Sequence, residues 1–198
     1  MAYQKIKGMM SDGKTSRYVQ VDGRGRLVLA PRGVGKLKLV SLTKQLAAAS
    51  AYDANDVISE NASTGTSWRF EIVARENGGS GYIVKAQAIS ESESVTPRLT
   101  LYLFNVAPTA ALNDHAANTN PDLADIPNYV GRIDFPAMEA LGTTDSNTIA
   151  TPSTSGNLPL AFECAYNSDD LYGVLVTRDA YTQTATDDMV IKLTIEQF

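Results

Sequence analysis

Apolar side chains recur at every second residue along most of this chain, and almost nowhere at the three-to-four spacing of an amphipathic helix. The pattern predicts strands. Residues 17–21 and 26–30 read as short extended pieces around the turn signal Asp22-Gly-Arg-Gly25. Leu37, Leu39 and Ser41 then alternate against Lys36, Lys38 and Val40. In residues 67–75 (SWRFEIVAR), Trp68, Phe70 and Ile72 share one face, and Asn77-Gly-Gly-Ser-Gly81 turns the chain into residues 82–89, a predicted hairpin. Residues 98–107 (RLTLYLFNVA) place Leu99, Leu101 and Leu103 inward. Their other face, Thr100, Tyr102 and Phe104, is too apolar for water, so a loop or a neighbouring subunit should cover it.

Further strands are expected at 129–135, 158–164, 171–177 and 189–195, between clusters of Pro, Gly, Asn, Asp and Ser. One stretch, residues 42–52 (LTKQLAAASAY), is compatible with a short helix on propensity alone. Two long connections stand out, residues 107–128 with three prolines and residues 137–156 rich in Thr, Ser, Asn and Gly; loops of that length are usually functional or ordered by a partner. Strand count and spacing predict an all-β fold, an antiparallel β-sandwich.

Composition changes the picture in one respect. The net charge of −5 divides unevenly: residues 1–45 hold ten Lys/Arg and two acids, a net of +8, while residues 46–198 hold seven Lys/Arg and twenty acids, a net of −13. The expected organisation is therefore a basic β-rich N-terminal extension, residues 1–45, ahead of a sandwich domain, residues 46–198. Its basic residues are interspersed with Gly, Val and Leu, with only Tyr3 and Tyr18 available for base stacking, so an acidic protein surface is the favoured partner over nucleic acid or plain solvent. No apolar run reaches the roughly 18 residues of a membrane helix, and the N-terminus has no apolar core of the kind a secretory signal needs.

Catalytic and cofactor chemistry is short of parts. Cys164 is the one cysteine and His115 the one histidine, which leaves no intrachain disulfide and no His-rich metal site. Arg32-Gly-Val-Gly-Lys36 has Ala30 where a phosphate loop needs its first glycine, and Leu37 where it needs Ser or Thr. Asp114 is placed to orient His115 as a base, but no G-x-S-x-G run supplies a nucleophile, so a solvent-facing loop histidine is expected. Cys164 reads as a small buried hydrophobe. The pairs Asp169-Asp170 and Asp187-Asp188 read as solvated turn acids before a cation site, because adjacent residues of an extended chain point apart. No catalytic, metal or cofactor residue is assigned, and no enzymatic activity is expected.

Several segments carry a family likeness. Residues 98–117 (RLTLYLFNVAPTAALNDHAA), 129–135 (YVGRIDF), 158–162 (LPLAF) and above all 171–182 (LYGVLVTRDAYT) resemble a pattern in capsid decoration (cement) and head-fibre proteins of tailed bacteriophages, and 51–57 (AYDANDV) resembles the start of that pattern. The likeness covers about residues 51–198. It implies a jelly-roll-like sandwich on the outer capsid surface of the virion, made in the host cytoplasm. It also implies a homotrimer bound to the major capsid protein, with no direct nucleic-acid or membrane contact. On this reading the capsid-binding residues are Lys5, Lys7, Lys14, Arg17, Arg24, Arg26, Arg32, Lys36 and Lys38, and the subunit interface includes Tyr102 and Phe104. The second reading is a phage tail component or a receptor- or carbohydrate-binding sandwich, with Tyr166, Tyr172 and Tyr181 as candidate platforms.

Overall fold

The computed structural model describes residues 6–8, 17–19, 35–47, 50–140, 144–153, 157–183 and 186–198. The chain divides into two compact units, Met1–Val34 and Gly35–Phe198. In the first, strands β1 (Ile6–Gly8) and β2 (Arg17–Val19) pair antiparallel, with Lys7 opposite Tyr18 and Gly8 opposite Arg17. Residues 20–34, including the expected strand at 26–30, lie outside the described residues, as do Lys5 and Lys14.

Among the described residues, the regular structure of the second unit is all strand apart from one short 3-10 turn at Ile126–Asn128. In chain order it holds β3 (Lys36–Gln45), β4 (Ala51–Tyr52), β5 (Val57–Ile58), β6 (Trp68–Phe70), β7 (Ser80–Ser90), β8 (Leu99–Phe104) and β9 (Tyr129–Asp134). After these come β10 (Glu139–Ala140), β11 (Ser146–Ala150), β12 (Leu160–Glu163), β13 (Leu171–Thr177), β14 (Tyr181–Thr182) and β15 (Asp188–Gln197). One sheet runs β10-β11-β7-β15-β3, with β12 beside β11 on the same side of β7; the other runs β5-β13-β8-β9, with β6 beside β5 on the same side of β13. Every pairing is antiparallel. The chain passes back and forth between the two sheets, with β5 and β6, β8 and β9, and β10 to β12 each staying within one, and the last strand lies between β3 and β7. This is the connectivity of a jelly roll.

Alternation explains the core. Met189, Ile191, Leu193 and Ile195 of β15 face inward and are fully buried, opposite Leu99, Leu101 and Leu103 of β8 and Leu171 and Leu175 of β13, all in one apolar cluster. A register shift between Thr194 and Ile195 leaves Val84 of β7 unpaired against β15, a bulge that changes which parity faces the core: Gly81 and Ile83 before it, Ala86, Ala88 and Ser90 after it. Gly173, mid-strand in β13, is required by close approach, since a Cβ there would stand 2.8 Å from Leu101 Cδ1 and 3.2 Å from Phe70 Cε2.

Several expectations change. The described residues of 42–52 form no helix: their first part completes β3, whose ten positions all pair with β15, because ladder hydrogen bonds and the buried Val40 outweigh a weak alanine preference. The compact sandwich therefore begins at Gly35, not at residue 46, and takes Lys36 and Lys38 with it. The inward face of β3 is Lys38, Val40 and Leu42, so Leu37 and Leu39 point outward. Residues 67–89 are not a hairpin. Strand β6 stops at Phe70, where Ile72 takes φ +55° and its N–H donates to Asp170, and the chain then crosses to the other sheet. Ser146–Ala150, expected as loop, is a strand whose buried hydroxyls are satisfied: Ser146 Oγ donates to Ser92 O and Thr148 Oγ1 to Pro136 O.

The outer face of β8 is covered by the chain itself. Phe104 is fully buried with Val57, Val174 and Val176, and Tyr102, Leu112 and Tyr129 pack against them. The segment after β8 closes over this face through Asn105 N–H to Asn128 O, Val57 N–H to Ala116 O and His115 N–H to Val57 O. Phe104 is accordingly a core residue, closed to the subunit interface expected there, while Tyr102 is half-buried at the margin of this cover. Phe104→Ala should lower stability by roughly 3–5 kcal/mol, the range for truncating a buried aromatic ring. Thermal unfolding followed by circular dichroism will show the loss, while the sedimentation coefficient of the folded fraction stays unchanged.

Candidate functional site

The sheet containing β15 ends at β3, whose far side pairs with no strand among the described residues. Every second residue of this ten-residue strand thus presents its backbone N–H and C=O at one edge, where natural sheets are normally blunted. Leu37 is 67 % exposed and Leu39 62 %. Ile72, carried outward by its left-handed backbone, is 54 % exposed and shares a shallow groove with Leu39, Leu42, Arg69 and Glu71. Of the cations expected to bind capsid, Lys36 is exposed on this strand, and Lys38 Nζ donates to Ile72 O at 2.5 Å. Lys7 and Arg17 lie in β1 and β2 of the other unit; Lys5, Lys14, Arg24, Arg26 and Arg32 lie outside the described residues.

Lys44, at the far end of β3, points inward and ties this edge to the second sheet. Its Nζ donates to Glu60 Oε2 and to Thr66 O, both at 2.5 Å, and lies 5.3 Å from the centre of the Trp68 ring. Burial pulls the Lys44 pKa down and Glu60 only partly restores it. For Glu60, burial works to raise the pKa, but hydrogen bonds from Lys44, Thr66 and Ser59 outweigh it and hold the carboxyl at about 2.

One carboxylate of each acid pair is engaged within the fold. Asp170 is buried and accepts Arg69 Nε and Nη2 at 2.9 and 2.7 Å and Ile72 N–H at 2.9 Å, while the Asp169 carbonyl accepts Val73 and Ala74 N–H. The turn between Phe70 and Val73 is therefore built on these two residues, and Asp170 is not a solvated turn acid. Asp187 accepts Ser92 Oγ, and Asp188 N–H donates to Glu91. No group of three metal-ligating side chains occurs among the described residues. Cys164 is buried as expected, and burial, with Asp169, Asp170 and Glu163 nearby, pushes its thiol up to about 12. Tyr166, Tyr172 and Tyr181 do not form a shared platform: Tyr166 is exposed at a turn, Tyr172 pairs opposite Phe104 in β13, and Tyr181 stacks on Tyr52.

His115 departs most from expectation. Its ring lies 3.9 Å from that of Tyr52 at an interplanar angle of 11°, and its side chain is 21 % exposed. Nδ1 meets Asp114 Oδ2 at 3.0 Å, and Nε2 meets Ser50 Oγ at 2.6 Å. The Asp114 side chain is fully buried, and its Oδ1 accepts Tyr52 OH at 2.9 Å and Ser59 N–H at 2.8 Å. Sequence reasoning found Asp114 and His115 but missed Ser50 and Tyr52, which lie more than sixty positions away and carry no local motif.

No family model matches the chain, and a search of curated proteins returns no match. Among solved structures it is similar to "Cyanophage Pam1 capsid asymmetric unit", with 13 % identity and a TM-score of 0.32 over 87 % of this chain and 94 % of that one. A second likeness is to "Structure of Triatoma Virus (TrV)", with 8 % identity and a TM-score of 0.21 over 80 % and 63 % of the two chains. Superpositions this loose carry no argument about role.

The Glu60 contact yields a pH dependence. Its folded pKa of about 2 lies below the ordinary glutamate value of about 4.3, so its contribution is fully present above about pH 4.3 and is lost as pH falls towards 2. Wild type should exceed Glu60→Gln in stability at neutral pH, with the difference closing across that window in denaturant titrations. Lys44→Ala should cost roughly 2–3 kcal/mol, at or below the low end for broken buried pairs because Glu60 retains some solvent contact.

Proposed function

We propose that this protein is a structural component of a tailed-phage virion, a capsid decoration protein that attaches to the assembled major capsid protein on the outer surface of the shell. The jelly-roll connectivity is compatible with that role, but folds of this type serve viral shells, lectins and enzymes alike, so the fold alone does not select it. The likeness of residues 51–198 to decoration and head-fibre proteins supports the virion assignment. The observation that carries attachment is the edge of β3, which pairs with no strand among the described residues and runs beside outward Leu37 and Leu39 and the cation of Lys36. Such an edge accepts an extended partner segment by strand addition, with main-chain hydrogen bonds for affinity and outward side chains for selectivity.

The basic residues of the N-terminal unit add attraction to an acidic capsid surface. A protein that binds the assembled lattice and not free subunits stabilises the lattice by mass action. A homotrimer at lattice three-fold positions is the proposed assembly, with an interface away from the buried Phe104.

Co-sedimentation of the full chain with undecorated, DNA-free capsids tests this. The double substitution Leu37→Ser and Leu39→Ser should weaken attachment at least about tenfold, equivalent to about 1.4 kcal/mol. Both side chains are exposed, so the isolated protein should keep its stability within about 0.5 kcal/mol. Wild-type binding should fall only partly at about 0.5 M salt, because the apolar contacts are not screened. Full occupancy by the double variant would refute the β3 edge as the docking surface. Tight duplex-DNA binding with a steep linear dependence on log salt, without capsid binding, would replace the decoration role with a nucleic-acid one.

A further inference from the structure

We infer that Ser50, His115 and Asp114 form a serine-nucleophile site that takes the acyl group of an ester. The inference is independent of the virion role and runs against the expectation that the chain carries no catalysis. It begins at Asp114. A carboxylate can only accept hydrogen bonds; with Oδ1 occupied by Tyr52 OH and Ser59 N–H, Oδ2 accepts from His115 Nδ1, so that nitrogen carries the ring proton. Nε2 is then a lone pair, and the 2.6 Å contact has Ser50 Oγ–H donating to it. This is the order of roles in a Ser-His-Asp relay: a buried acid fixing the tautomer, an imidazole base and a hydroxyl within proton-transfer reach.

Two further observations favour a site over a structural contact. Burial of Asp114 explains its bonds to Tyr52 and Ser59, but Ser50 is exposed and has water available, so nothing about desolvation requires it to sit on Nε2. His115 also holds φ +61°, an uncommon backbone for a residue with a Cβ, and is kept there by its N–H to Val57 O at 3.0 Å and by stacking on Tyr52, itself backed by Tyr181 at 4.9 Å. The ring is clamped while the hydroxyl remains open to a ligand.

The chemistry closes with water alone. As the bond from Ser50 Oγ to the ester carbonyl carbon forms, the hydroxyl proton passes to His115 Nε2, and Asp114 stabilises the imidazolium. The ester C–O bond then breaks, and the departing alkoxide takes that proton. Water attacks the acyl-serine, losing a proton to Nε2, and releases the acid while Oγ recovers its hydrogen. The net reaction is ester plus water to acid plus alcohol.

A fluorophosphonate probe tests the nucleophile directly, since labelling forms an Oγ–P bond, breaks P–F and releases hydrogen fluoride. The full-length protein should gain one adduct by intact mass, mapped to Ser50. Ser50→Ala, with an exposed side chain and an expected thermal midpoint close to wild type, should gain none, and His115→Gln should label at least about a hundredfold more slowly. Hydrolysis of p-nitrophenyl acetate should fall to the level of buffer with denatured protein in Ser50→Ala. The inference is overturned by an unlabelled Ser50 under excess probe, by an adduct on His115, or by hydrolysis that Ser50→Ala leaves unchanged; capsid attachment is unaffected by any of these.

Discussion

The sandwich depends on where its last strand goes. β15 pairs with β3 over ten positions and with β7 over nine, so the middle of one sheet is built from the end of the chain. Its buried face, Met189 to Ile195, is also the floor of the core against β8 and β13. Until it inserts, β3 and β7 have no ladder to join them, and the apolar faces of the second sheet have nothing to pack against. Pairings this distant in sequence carry a large loop-closure cost, and the unusually long ladders are what repay it.

A second constraint follows from the other sheet. β13 is apolar on both faces, as strands buried on both sides are, and so is β8. One face is covered by β15 and β7, the other by the chain segment that leaves β8, which carries Asp114 and His115 across the end of β5. Covering an apolar face thus buries a carboxylate, and a buried carboxylate must find donors. Tyr52, Ser59 and His115 are those donors. The precision of the His115 ring is a by-product of sealing the sheet, which places a well-oriented imidazole at the surface beside Ser50.

The two ends of β3 illustrate opposite solutions to an exposed edge. At Lys44 the strand is closed onto the second sheet by a cation held among Glu60, Thr66 and Trp68, a contact whose desolvation cost is met by several hydrogen bonds. At Leu37 and Leu39 no such closure exists among the described residues, and apolar side chains flank unpaired backbone. Edge strands of this composition seek a partner strand.

The alternation of residues by itself determined the all-β class, most of the long strands and the inward face of β8, because a period of two is a local property of the chain. It also marked Thr100, Tyr102 and Phe104 as a face needing cover, and Asp114 as a partner for His115. What covers Phe104, which side of β3 is buried and where residues 67–89 turn were decided only by tertiary structure. Leu37 and Leu39 alternate as well outward as inward, and only the ladder to β15 selects the register. Ile72 continues the alternation of Trp68 and Phe70, yet Asp170, ninety-eight residues away, captures its N–H and ends the strand. Ser146–Ala150 carries no apolar alternation, so its hydroxyls look like loop until Ser92 and Pro136 supply their acceptors. Ser50 and Tyr52 were invisible for the same reason: a hydrogen bond to His115 or Asp114 leaves no trace in local periodicity when its partners meet only after the two sheets close.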